Sequence, residues 1–192
     1  MTKTSTVRSR VKAMPGTPAP LPLRPAVQEE KRPFVPSLTS IGEAMGADKS
    51  PKEILSLILQ AAYSITRASS ASLMLVEPGT DVLRVEVAEG FKDKSIYKTR
   101  LRVGQGVTGW VAETGVPLRI GNVTKDPRYV RVQKGLRSEL AVPLKIGGSV
   151  IGVISVDSTR LNHFTPEEEA LLISLAAPSA RVIHSAQLHA ET

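Results

Sequence analysis

Two pairs of closely spaced apolar runs limit what this chain can fold into. Ser72 to Val76 and Val82 to Ala88 are separated only by Glu77-Pro-Gly-Thr-Asp81, turn chemistry that brings the chain back on itself. In the second run Leu83, Val85 and Val87 alternate with Arg84 and Glu86, which predicts one buried face. Glu139 to Ile146 and Val150 to Val156 form the second pair around Gly147-Gly148. Pro143 marks an edge position or a bulge in its strand. Tyr97 to Val103 also alternates and reads as a strand, with Lys98, Arg100 and Arg102 on one face. Strands joined by such short turns pair antiparallel, because parallel pairing needs a crossover of about a dozen residues or more.

That pattern decides the meaning of RVGQGVTGWVAETGVPL, residues 102 to 118, where Gly104, Gly106 and Gly109 spell G-x-G-x-x-G. A dinucleotide fingerprint requires a buried parallel strand before it and a full crossover helix after it. Here the preceding strand alternates charged residues, and Gly115 and Pro117 end the following segment too soon. The glycines instead bracket one short helix, Val107 to Thr114. Gly104 and Gly106 turn the chain, Gly109 permits close packing and Gly115 supplies a left-handed C-cap. Trp110 and Val111 are expected on its buried side.

Two longer helices flank these strands. Ser50-Pro51 caps the first, with Ile54, Leu55, Ile58, Leu59, Ala62 and Ile65 on one stripe. Thr165-Pro-Glu-Glu-Glu169 opens the last, with Glu168 at the capping-box position. Its stripe is Leu171, Leu172, Leu175, Ala176, Ser179, Val182, Ile183 and Ala186, and Pro178 is expected to distort it.

Residues 1–45 differ in kind. They hold seven of the 14 prolines and seven of the 25 basic residues, so a proline-rich, extended, largely disordered arm is expected, followed by one domain over 46–192. The chain has no cysteine, which excludes disulfides, thiolate nucleophiles and cysteine-ligated zinc. Its three histidines are His163, His184 and His189. The last two lie five apart on a helix and share no face, so no metal site or cofactor is expected. No apolar run reaches the roughly 20 residues of a membrane span, and the cytoplasm is the expected location.

The motifs from Gly104 to Ile120, Asn122 to Tyr129, Arg137 to Leu144 and Gly152 to Ser158 follow in order, and Phe164-Thr-Pro-Glu-Glu168 closes the series. Together they resemble the GAF domain family over residues 50 to 189. The resemblance implies an α+β fold: a six-stranded antiparallel sheet, the terminal helices on one face, and short helices and loops over a small-molecule pocket on the other. It also implies a sensor that relays its state through the terminal helices. Relatives that reduce methionine sulfoxide or attach bilins need cysteine, so a non-enzymatic role with no catalytic residue is expected. The cyclic-nucleotide subset carries Asn-Lys where this chain has Asp157-Ser158, which speaks against that ligand.

Residues 92–137, which the resemblance arranges around the pocket, contain eleven basic side chains and three acids, a net +8. A field of that sign attracts anions. The expected ligand is therefore small and anionic, with an acidic partner surface as the alternative and nucleic acid a weaker candidate. The candidate ligand-binding residues are Arg102, Trp110, Asn122, Asp126, Arg128, Tyr129, Arg137 and Ser138. A homodimer through residues 51–67 and 166–189 is expected, with Leu172 on its seam, and output passing to a separate signalling partner protein.

Overall fold

Ser50 opens the first helix. Its hydroxyl caps helix α1 (Pro51–Thr66) by accepting from the Glu53 amide, while the Glu53 carboxylate accepts from the Ser50 amide at 2.8 Å. The computed structural model describes residues 49–190, so the proline-rich arm of residues 1–45 lies outside the described residues. Along α1 the stripe Ile54, Leu55, Ile58, Leu59 and Ala62 is buried, and Ile65 packs at its border.

Six strands follow: β1 (Ser70–Val76), β2 (Val82–Glu89), β3 (Arg100–Arg102), β4 (Leu118–Ile120), β5 (Ser138–Ile146) and β6 (Ser149–Ser158). They form one sheet in the order β3-β2-β1-β6-β5-β4, every neighbouring pair antiparallel. The two hairpins read from the sequence supply four strands, and β1 joins β6 at the centre. β4 pairs with β5 only from Glu139 to Ala141, leaving an open edge at Pro143, and the register shifts nearby between Leu144 and Lys145. Both features suit a residue with no amide donor.

Each sheet face has its own core. Leu73, Leu75, Leu140, Val142, Leu144, Ile154 and Val156 pack against α1 and helix α3 (Pro166–Ala190). Met74, Leu83, Val85, Ala141 and Val153 pack against the cover formed by helix α2 (Gly106–Thr114) and its flanking loops. Thr165 and Glu168 make the expected reciprocal cap at the start of α3, and the helix runs on through Pro178.

Three expectations are corrected. Leu83, Val85 and Val87 do not share a face. Leu73 pairs with Val87 but Met74 with Val85, so a bulge at Glu86 sends Val87 to the helical side and its neighbours to the cover. The alternating run from Tyr97 is a strand only over Arg100–Arg102. Asp93 accepts from the Ser95 amide at 2.9 Å and turns Lys94–Lys98 into a 3-10 helix, a local bond that outcompetes the ladder. Finally, Leu172 is fully buried in the chain's own core, whereas Leu171 and Ile173 beside it are exposed, so Leu172 cannot form an intermolecular seam.

Candidate functional site

The cover is held close to the sheet by its glycines. A side chain at Gly109 would run into the carbonyl oxygen of Arg102, so only glycine lets α2 approach that strand. At φ +64° Gly115 ends the helix, its amide donating to the Val111 carbonyl at 2.9 Å. Val107 and Val111 then face the sheet, Thr108 is buried with them, and Trp110 lies half-buried at the rim.

After β4, Asn122 accepts from the Thr124 amide at 3.1 Å and starts a short turn. Asp126 starts another, accepting from the Arg128 amide at 2.9 Å. The Asp126 carboxylate also takes the Arg128 guanidinium in a forked pair, at 2.9 Å from Nε and 2.7 Å from Nη2. The same guanidinium lies over the Trp110 ring, 4.9 Å from its centroid. Trp110, Arg128 and Asp126 thus form one stack that ties α2 to the loop beyond β4. Its hydrogen bonds with Arg128 hold the Asp126 carboxyl below the usual carboxylate range.

Between sheet and cover lies a cavity of about 40 Å³. Its walls are largely apolar, among them Met74, Val85, Leu101 and Val107. Its polar groups are few: Glu139 from β5, Ser155 and Asp157 from β6, Ser72 from β1, and Thr99, Thr108 and Tyr129 from the cover. Among the described residues no basic side chain lines it. Glu139 and Asp157 are directly opposite one another in the β5–β6 register, and both are buried. The Ser155 hydroxyl donates to Glu139 Oε1 at 2.8 Å. Burial raises the Glu139 carboxyl well above its ordinary range. Burial, reinforced by the Glu139 charge, does the same to Asp157. Burial and these two acids push the Tyr129 phenol up to about 12. The hydroxyls of Tyr129 and Thr108 are buried with no hydrogen-bond partner in the protein.

Outside this cavity is an open groove of about 590 Å³, bordered by Asp126, Tyr129, Arg131, Lys134 and Arg137. Tyr129 lines both spaces. Among the eleven basic residues of the cover, Arg100 pairs with Glu77, Arg119 with Glu169 and Arg128 with Asp126. Arg131, Lys134 and Arg137 make no such pair among the described residues, so the groove carries three of the cover's unpaired basic side chains.

Of the eight residues expected to bind ligand, Asp126, Tyr129 and Arg137 border the groove, while Trp110 and Arg128 line neither space and meet in their stack with Asp126. The other three are elsewhere. Arg102 is exposed on the outer strand and lines neither space. The Asn122 side chain is engaged in capping, and the Ser138 hydroxyl donates to the Arg160 carbonyl at 2.7 Å. Sequence reasoning missed Glu139, Ser155, Asp157 and Thr108. The available signal was a pair of acids inside otherwise apolar strands, at positions a hairpin around Gly147-Gly148 brings face to face.

The family model for the GAF domain matches residues 48–184. The Nif-specific regulatory protein of Azospirillum lipoferum is 25% identical over 129 residues, covering 63% of this chain and 20% of the relative. The chain thus spans about a fifth of that protein. The free methionine-R-sulfoxide reductase of Escherichia coli is 30% identical over 119 residues, 62% of this chain and 68% of the enzyme. Among solved structures, the GAF domain from a phosphoenolpyruvate-protein phosphotransferase of Coxiella burnetii superposes with a TM-score of 0.71. That match has 22% identity and covers 80% of this chain and 94% of the other.

Proposed function

Because the chain belongs to the GAF domain family, we propose that it is a non-enzymatic regulatory module that senses a small ligand and signals to a separate partner protein. The cavity beneath the cover carries this reading. Two partnerless hydroxyls and two buried carboxylates in an apolar pocket are costly unless something binds them. The groove with Arg131, Lys134 and Arg137 is the entrance, and its charge favours a ligand with an acidic group. The reductase relative is named for a small free amino-acid derivative. Without cysteine, this chain keeps the pocket for recognition and not for thiol chemistry.

The sheet supplies a route for the output. Leu140 and Val156 are sequence neighbours of Glu139 and Asp157, and they point to the opposite face, into the core under α1 and α3. A ligand that shifts the acids therefore displaces residues packed on the terminal helices, through which two copies pair and contact their partner. Native mass spectrometry of protein purified from its own host tests the reading. A bound small molecule is expected. Bare protein, with no thermal shift across a metabolite panel, would overturn it. The scaffold reading, favoured by Leu171 and Ile173 exposed on α3, would then remain, with the basic groove meeting an acidic partner surface.

A further inference from the structure

The two sides of Tyr129 carry opposite charge. Inward are Glu139 and Asp157, buried, in register and with no basic side chain lining their cavity. Outward are Arg131, Lys134 and Arg137, with no ion pair among the described residues. A buried carboxylate pair without a counter-charge needs either a shared proton or a bound cation. The cavity has room for a head group of a few heavy atoms. Only two carboxylates line it, the other oxygens being neutral hydroxyls, and among the described residues no group of three or more His, Asp or Glu side chains could hold a metal ion, whereas calcium draws chiefly on carboxylates and carbonyls. An ammonium group fits this inventory better. It has three donors for Glu139, Asp157 and the partnerless Tyr129 or Thr108 oxygen, and its carbon stem meets the apolar wall.

We infer that the ligand is a small zwitterion, its protonated amine held in the cavity by Glu139 and Asp157 and its acidic end received by Arg131 and Arg137 in the groove. The inference rests on the sensor reading above and narrows its ligand to amino acids and related amino-carboxylic compounds. It reconciles a basic cover with an acidic pocket, which a simple anion does not. The acids repel a purely anionic ligand from the cavity, and the groove repels a purely cationic one.

Thermal shift and calorimetry on the full chain at low salt and near-neutral pH test it. The probes are the common amino acids, β-alanine and γ-aminobutyrate, their desamino and decarboxylated counterparts, and sodium, potassium, magnesium and calcium chlorides. At least one amino acid is expected to bind, with both truncated counterparts weaker by about tenfold or more. Glu139→Gln and Asp157→Asn should each weaken it by a similar factor, with circular dichroism and cooperative melting preserved. Arg131→Ala combined with Arg137→Ala should weaken it and flatten its salt dependence. Equal binding of a desamino acid, unchanged affinity in both acid variants, or a metal ion bound in place of the amine would overturn the inference. So would a panel in which no amino compound binds. If a ligand without an amine is then found on the host-purified protein, the sensor reading stands and only this inference falls.

Discussion

Glu139 and Asp157 stand opposite each other across the β5–β6 ladder, two buried carboxylates in a cavity that no basic side chain lines, with the Ser155 hydroxyl donating to Glu139. Like charges in direct register destabilise a sheet, and burial adds to the cost. The Glu139 carboxyl, raised to about 7 from an ordinary 4.5, binds its proton more tightly folded than unfolded. Its stabilising contribution is therefore complete below the ordinary value and is lost as pH rises toward and past the folded one. Without ligand, the protein is expected to melt at a higher temperature near about pH 5 than near about pH 8. Glu139→Gln should narrow that gap by raising the alkaline melting temperature, an effect on the order of 1–3 kcal/mol. Thermal denaturation of both proteins across the range decides it. Parallel profiles would mean the acid is not strained.

Gly109 tests how closely the cover approaches the sheet. In Gly109→Ala the new methyl meets the Arg102 carbonyl oxygen, a backbone atom that cannot swing aside. Although alanine is the better helix former, the clash should dominate and cost about 1–3 kcal/mol. Urea denaturation that shows equal or greater stability would count against the packing described.

Trp110 is the chain's one tryptophan, so its emission reports on the stack with Arg128. Arg128→Ala should shift that emission while changing stability by about 1 kcal/mol or less, because the pair is partly solvated. Steady-state fluorescence with denaturation measures both. Unaltered emission would show that the guanidinium does not rest on the ring in solution.

Neighbouring residues of α3 separate association from folding. Ile173 is 41% exposed and Leu172 is fully buried. If copies pair through the terminal helices, Ile173→Asp should give folded monomers by analytical ultracentrifugation, with stability of the monomer changed by about 0.5 kcal/mol or less. Leu172→Ala should instead cost about 2–5 kcal/mol of folding free energy. A dimer unaffected by Ile173→Asp would move the interface elsewhere.

The elements legible in the sequence are those set by local chemistry. Ser50 and Thr165 capped their helices as read, and both hairpins closed where their turn residues lie. The bulge at Glu86 was hidden because an unbroken alternation looks the same whether or not the partner strand skips a residue. Within the site, Asp126 and Arg128 were legible through their turn, but only folding brings the guanidinium over Trp110. Glu139 and Asp157 were missed for a different reason. In an antiparallel strand an acid ordinarily marks the solvent side, and these acids are buried only because a distant segment, Phe91 to Val132, folds back over them.

Tyr129 links the two halves of the site, and its hydroxyl offers the most direct test of whether the cavity is used. The phenol is buried with no protein partner, and burial, Asp157 and Glu139 together keep it protonated. A polar group in that state contributes nothing to the unliganded fold beyond its desolvation penalty. Tyr129→Phe keeps the ring against the cover and removes only the oxygen. Stability is therefore expected to stay level or rise by about 1 kcal/mol. If the hydroxyl instead serves a ligand, the same variant should bind it about tenfold more weakly while melting no lower, since the ligand's donor is left without its acceptor. Melting curves measured with and without the bound molecule separate these effects. A variant that is less stable yet binds as well as the parent would assign Tyr129 to packing alone and shift recognition onto the carboxylates.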